Sequence, residues 1–340
     1  MRFIHTADWQ IGMRAVHAGD AAKRVREARL GTASRVCDLA AAESADFLLL
    51  AGDTFEDNTV DRDLVARVAD LLDRAACPVY VLPGNHDPIQ PGCVWDEPVW
   101  MAARNVTVLR ENRPVALPGG TLLPCPLRAR RSPDDPSAWI GPASGPGIRV
   151  VVAHGNAGEI MADDGGFPIS MDTPARTAAD FVALGHWHST LIPGPRMAYS
   201  GTPEPTRFGE ASSGNVLLVS IDEPGSKPLV SIRKTGQLRW LQIGSGEMLT
   251  SRGSLAEVVR RLEATPEPQN TLVEVILQGL LFESDQDQLV RIDRAAAGYL
   301  HARIDRAGLR AAPDDHGWIE HLPAGTARAA ADRLRAMAAG

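Results

Sequence analysis

The feature that most constrains this chain is a repeated local pattern: a short apolar run that stops abruptly at a polar, metal-type residue. Phe47-Leu48-Leu49-Leu50-Ala51 runs into Gly52-Asp53, and Val79-Tyr80-Val81-Leu82 runs into Pro83-Gly84-Asn85-His86-Asp87. Val150-Val151-Val152-Ala153 ends in His154-Gly155, and Phe181-Val182-Ala183-Leu184 ends in Gly185-His186-Trp187-His188. Short apolar runs without alternation, bounded by Gly, read as strands buried on both faces, as in βαβ units. Arg2-Phe3-Ile4-His5 begins another strand and leaves Asp8 and Gln10 just past its end. Ligands bind beyond the carboxyl ends of strands in open α/β sheets, so the pattern that sets the fold also collects polar groups at one edge.

The spacing between these runs predicts a long Ala/Arg/Leu-rich helix over 21–45 and a second near 60–75. A hairpin is expected at 115–123 around Pro118-Gly119-Gly120, with strands near 215–220, 229–233 and 238–243. Around Gly244-Ser245-Gly246 the pattern changes to a helix over 255–262, a strand over 271–277, and amphipathic helices over 285–304 and 326–339. In that later part His301, His316 and His321 show no ligand spacing. The organisation predicted is a large domain over 1–245 and a small α+β domain over 246–340, a division suited to a chain of 340 residues.

Composition narrows the class. No apolar run approaches the roughly 20 residues of a membrane span, and the N-terminus enters a strand pattern without a signal peptide, so a cytoplasmic location and no membrane partner are expected. Cys37, Cys77, Cys93 and Cys125 are scattered without C-x-x-C spacing, which points to neither a zinc knuckle nor a disulfide framework. A formal net charge of −7 argues against non-specific nucleic-acid coating. It leaves a nuclease open, because carboxylates in a metal site count as negative until ions reverse the local sign.

The strand-end groups are Asp8, Gln10, Asp53, Asn85, His86, Asp87, His154, His186 and His188. Asn85 can offer a carbonyl oxygen, His86 can donate or accept a proton, and Asp87 can fix the His86 tautomer. His186 and His188, two apart in an extended segment, can serve one site. Two-metal hydrolases need a bridging carboxylate among mixed nitrogen and oxygen ligands, and Asp53 is the natural bridge. Arg14, Arg128, Arg130, Arg131 and Arg207 are candidates for phosphate contacts.

Taken in order, Asp8-Trp9-Gln10, Gly52-Asp53-Thr54-Phe55-Glu56, Gly84-Asn85-His86-Asp87, His154-Gly155 and Gly185-His186-Trp187-His188 resemble the motif blocks of the calcineurin-like metallophosphoesterases. The opening His5-Thr6-Ala7-Asp8-Trp9 and the loop from Tyr199-Ser200-Gly201-Thr202-Pro203 to Phe208-Gly209-Glu210 look like the SbcD branch of DNA repair exonucleases. The fold implied is a metallophosphoesterase β-sandwich flanked by helices, with a small C-terminal DNA-capping domain. The resemblance implies one ion on Asp8, residue 10, Asp53 and His188, and another on Asp53, Asn85, His154 and His186. His86 would face the scissile phosphate and Asp87 would orient it. One departure stands out: the family's first block ends in His, and here Gln10 takes its place. A glutamine carbonyl can ligate a hard ion more weakly than imidazole, or bond to a metal's water instead.

The function implied is a DNA exonuclease with some endonuclease action, dependent on two Mn²⁺ ions and allied to an SbcC-like, SMC-type ATPase. The family also forms homodimers. Two other readings stay open: a small-nucleotide phosphodiesterase or phosphatase, and a non-catalytic DNA-binding scaffold of the ATPase complex.

Overall fold

The computed structural model describes residues 1–142, 147–158, 166–251, 253–312 and 317–338. The chain divides into two compact units, Met1–Leu238 and Arg239–Gly340.

The first unit opens with β1 (Arg2–Thr6), α1 (Ala22–Ala42), β2 (Phe47–Ala51), α2 (Arg62–Asp73) and β3 (Val79–Leu82), followed by the single turn α3 (Val99–Ala102) and β4 (Val106–Val108). Next come the hairpin β5 (Val115–Leu117) and β6 (Gly120–Cys125), then β7 (Ile148–His154) and a short pair, β8 (Asn156–Ala157) and β9 (Pro168–Ile169). After the turn α4 (Thr173–Arg176) lie β10 (Phe181–Gly185), β11 (Leu191–Gly194), β12 (Met197–Tyr199), β13 (Asn215–Ser220) and β14 (Leu229–Lys234). Two six-stranded sheets result, ordered β14-β13-β1-β2-β3-β4 and β11-β12-β10-β7-β6-β5. β1 to β4 are mutually parallel, as are β6, β7, β10 and β12.

The lack of alternation in the apolar runs has a direct cause. Phe3, Phe47, Leu49 and Leu82 share one core with Val150, Val152, Phe181 and Ala183 of the other sheet. Their neighbours Ile4, Leu48, Leu50 and Val81 face the opposite way, into a core with Val36, Ala40, Val65 and Val68 of α1 and α2. On the far side Val151, Ala153, Val182 and Leu184 fill a third cluster. Both faces of each central strand are therefore buried, and each fully buried Leu or Val contributes roughly 1.5–3 kcal/mol. Phe3 stacks on Phe47 at 4.7 Å between ring centres, with Phe181 edge-on to Phe3 at 6.0 Å, and this aromatic layer joins the sheets. At the start of α2 the Asp61 carboxylate accepts from the Asp63 N–H at 2.8 Å and caps the helix. All four cysteines are buried and free.

The second unit is β15 (Arg239–Ile243), α5 (Ser254–Glu263), β16 (Thr271–Leu281), α6 (Gln286–Ala296) and β17 (His301–Ala311), with the turn α7 (Gly317–Glu320) and the helix α8 (Thr326–Ala338). β15, β16 and β17 form a parallel sheet. Leu255, Val258, Val259 and Leu262 of α5 and Ile292 of α6 pack on Val273, Val275 and Leu277.

Two expectations are corrected here. The strand over 239–243, expected within 1–245, pairs with β16, so the compact units part at Leu238 rather than at 245. The helix expected over 285–304 stops at Ala296, before Gly298; from His301 the chain pairs along β16 instead. Backbone pairing to an existing strand overrides the helical look of an Ala/Arg-rich segment. His316 and residue 339 lie outside the described residues. Among the described residues no helix is long and apolar enough to cross a membrane.

Candidate metal centre

The loops after β1, β2, β3, β7 and β10 meet at one end of the sandwich. The loop after β1 is laced to the loop after β2 by Asp8 N–H on the Gly52 carbonyl (3.0 Å), Gln10 N–H on the Asp53 carbonyl (2.9 Å) and Ile11 N–H on the Thr54 carbonyl (3.0 Å). Gly84 and Gly185 are needed for this approach. A Cβ on Gly84 would collide with the Asp53 carboxylate and backbone N, and one on Gly185 with the Ala51 carbonyl. Four residues of the site have positive φ although none is glycine: Asp8 (55°), Gln10 (42°), Asp53 (53°) and His186 (103°). Such conformations are costly and persist only where surroundings impose them, and they cluster at functional sites.

Asp8, Asp53 and His154 are buried, and one potential ligand atom from each lies within 4.8 Å of the others. His154 Nδ1 donates to the Ala51 carbonyl at 2.8 Å, which directs Nε2 toward Asp53 Oδ2 (3.3 Å) and Asn85 Oδ1 (2.8 Å). His186 Nδ1 lies 3.0 Å from the same Asn85 oxygen, and its N–H donates to the Asp8 carboxylate at 3.1 Å. Asp53 Oδ1 accepts from the His86 N–H at 2.9 Å. A neutral His154 would therefore aim a lone pair at two oxygens. The conflict is relieved only by a cation between them, either a proton or a metal ion.

The electrostatics agree. Burial alone would lower the His154 imidazolium, but the Asp53 charge and hydrogen bond outweigh it and push its pKa up to about 9. Burial raises Asp53, yet His154 and His86 hold it well below the usual carboxylate range. Asp8 is raised to about 6 by burial, which His154 and His188 only partly offset. Two carboxylates, an amide oxygen and imidazoles converging out of water form a donor set that fits a divalent cation.

The far side of the site is built differently. His188 Nδ1 donates to Glu210 Oε1 at 2.7 Å and lies 3.1 Å from Thr206 Oγ1, and Gln10 Nε2 donates to His188 Nε2 at 3.2 Å. Glu210 also accepts from the Thr206 N–H at 2.7 Å and from its hydroxyl. The sequence marks Glu210 only as part of the Phe208-Gly209-Glu210 stretch and gives neither it nor Thr206 a role. Only the fold returns their loop to His188.

His86 is 37% exposed, its Nδ1 donating to the Glu56 carbonyl (2.8 Å) and its Nε2 lying 4.0 Å from Asp53 Oδ2. Asp87 does not orient it, contrary to expectation. Both Asp87 oxygens are taken by backbone N–H groups, those of Gly84 (2.7 Å) and Phe55 (2.9 Å), because the turn folds the carboxylate back under the loop. There burial and the Asp53 charge raise it to about 7. Glu56, through its main chain, does the orienting.

A calcineurin-like phosphoesterase family model matches residues 1–190, a span that includes every one of these loops up to His188. The chain belongs to the calcineurin-like phosphoesterases. That family is one of metal-dependent phosphoester hydrolases. It is similar to the "Uncharacterized metallophosphoesterase YhaO" of Bacillus subtilis (strain 168), 24% identical over 244 residues that cover 65% of this chain and 57% of that one. The match thus spans little more than half the length of that relative. Among solved structures it is similar to TT1561 of Thermus thermophilus, 11% identical with a TM-score of 0.44, over 69% of this chain and 98% of that one. A likeness so distant has no bearing on the site.

In this phosphoesterase the centre opens into a cleft of about 1170 Å³, lined by His86, Glu56, Trp187, Arg207 and Phe208 beside the metal-type residues. Arg207 lines it with a largely exposed side chain. Arg14 and Arg130 both act on Asp57: burial raises that carboxyl, but hydrogen bonds from Thr59 and then the two arginine charges bring it below its usual value. Arg131 runs beside Gly166, whose carbonyl accepts from the cleft residue Asn156 at 2.8 Å. Arg128 does not line the cleft; its guanidinium donates to the Arg110 carbonyl at 3.0 Å.

Proposed function

We propose that this phosphoesterase is a Mn²⁺-dependent DNA nuclease of the SbcD type. The observation that carries the reading is an exposed arginine on an open cleft. Arg207 lies on it, and Arg14 and Arg130 converge on Asp57, the neighbour of the Glu56 that orients His86. Backbone phosphates are held by such cations. In a chain with a net charge of −7 this positive charge is local. The cleft volume also exceeds the roughly 300–1,000 Å³ of a small-ligand pocket, which suits the end of a polymer.

In this reading Asp8, Gln10, Asp53 and His188 would hold one divalent ion, and Asp53, Asn85, His154 and His186 the other. Bound ions would supply Lewis-acid polarisation of the phosphoryl group and acidify water. The remaining work falls to the chain. Arg207 would hold a backbone phosphate of the strand, with Arg14 and Arg130 adding positive charge near Asp57. His86, with Nδ1 fixed on Glu56, donates from protonated Nε2 to a non-bridging oxygen and then delivers that proton to the leaving oxygen. The donor set of carboxylate, amide and imidazole suits Mn²⁺. The unit Arg239–Gly340 would cap DNA and meet an SMC-type ATPase, and α8, with Leu334 and Met337 at 66% and 72% exposure, is the docking candidate.

The test is degradation of end-labelled single- and double-stranded DNA with Mn²⁺ or with chelator, beside Asp53→Asn. Manganese-dependent shortening that the variant lacks is expected. Intact DNA together with hydrolysis of bis(4-nitrophenyl) phosphate would overturn the nuclease in favour of a small-nucleotide phosphodiesterase. DNA bound but uncut, with the simple diester also intact, would favour the scaffold.

A further inference from the structure

Trp187 departs from the other tryptophans of the first unit, of which Trp139 packs partly buried against a hydrophobic cluster. Trp9, Trp95 and Trp100 are 3%, 1% and 6% exposed, each with its indole N–H on an oxygen. Trp187 is 41% exposed, belongs to none of the hydrophobic clusters among the described residues, and lines the cleft with Phe208. Its backbone is held on both sides: the His186 N–H is tied to the Asp8 carboxylate, and the His188 carbonyl accepts from the Thr202 N–H at 3.0 Å. A large flat side chain on a fixed backbone has little ordering left to lose when a ligand meets it.

We propose that Trp187 is a base-stacking residue, receiving the nucleobase next to the scissile phosphate. The inference rests on the nucleic-acid reading above and adds to it a substrate feature: the phosphodiester must carry an unpaired base. A site that handles a phosphate and exposes an indole beside it matches a nucleotide, whose charged and flat parts are a short linkage apart. Every base has a π face, so the contact is tolerant of sequence, and it requires the terminal base to be free of its partner strand. Single-stranded or frayed ends are then favoured over paired ones. Phe208 lines the same cleft.

The experiment compares the full chain with Trp187→Ala and Trp187→Phe in Mn²⁺, using a single-stranded oligonucleotide and the same oligonucleotide made abasic at both termini. The wild type is expected to cut the base-bearing ends about tenfold more efficiently, within the range one base–aromatic stack contributes. Most of that preference should appear in KM, vanish in Trp187→Ala and survive in Trp187→Phe. Equal cleavage of the two substrates by the wild type, or a preference that persists in Trp187→Ala, would overturn the stacking role and leave the nuclease standing. Both oligonucleotides intact while bis(4-nitrophenyl) phosphate is hydrolysed would instead overturn the nuclease reading, and the stacking role with it.

Discussion

Around Asp53, Asn85, His154 and His186 the centre gathers more acceptors than donors, whereas along Gln10, His188 and Glu210 donor and acceptor alternate. In the first group His154 Nδ1 is engaged by a carbonyl and Nε2 faces two oxygens, so the arrangement calls for a cation. In the second group the Gln10 amide already occupies the His188 lone pair, and an ion arriving there must displace it. The same histidine chemistry thus gives a half that demands a cation and a half that is satisfied without one. What decides between them is the partner of the second ring nitrogen and the group facing the first.

The largest expected effect comes from removing the carboxylate that the first half is built on. Asp53→Asn should lose turnover of bis(4-nitrophenyl) phosphate by more than about 10³-fold. Calorimetric titration of the ion-free protein with Mn²⁺ should show the ion itself lost. If the variant bound Mn²⁺ as tightly as the wild type, the acceptor excess around His154 would not be what attracts it. His86→Ala separates the two effects. It should cost about a hundredfold or more in kcat, the worth of a general acid, with Mn²⁺ affinity little changed.

Much of this was legible before folding. The unbroken apolar runs identify strands buried on both faces, and their abrupt polar ends give Asp8, Asp53, Asn85, His154, His186 and His188, which the structure brings together. That works because strand ends in parallel sheets share one edge, so local sequence carries global position. The role of Glu210 was not legible, since it reaches His188 through a loop with no period of its own. Asp87 misled for a related reason: adjacency to His86 in sequence says nothing of a turn that commits both carboxylate oxygens to Gly84 and Phe55. The strand over 301–311 was hidden by an Ala- and Arg-rich composition that favours helix until a neighbouring strand is there to pair with.

Acid sharpens the comparison next. With the His154 pKa raised to about 9, the ion-free protein carries a proton at Nε2 through neutral pH, and an ion entering between Asp53 and Asn85 must expel it. Apparent Mn²⁺ affinity should therefore rise with pH by up to about tenfold per unit and level off above pH 9. Asp8, raised to about 6, adds a second proton only below that value and steepens the fall there. Calorimetry in buffers of different ionisation enthalpy counts the protons released. A flat affinity from neutral pH to 9 would mean that His154 enters the site already neutral.

The smallest effects belong to the second half, where the question is whether its internal hydrogen bonds compete with an ion or prepare for one. Glu210→Gln keeps the size of the side chain but removes the charge that fixes His188 with Nδ1 protonated and Nε2 available. Loss of such a supporting partner costs about 10–100-fold in metal affinity. Gln10→His removes the amide that caps Nε2 and adds an imidazole, so it should move the other way, tightening the weaker Mn²⁺ by about tenfold or more while leaving the tighter one as it was. The pair is informative together. If Gln10→His changed neither affinity while Glu210→Gln lowered one, the Gln10 amide would be turning over to offer its carbonyl oxygen, and the departure at this position would be a substitute ligand rather than a cap.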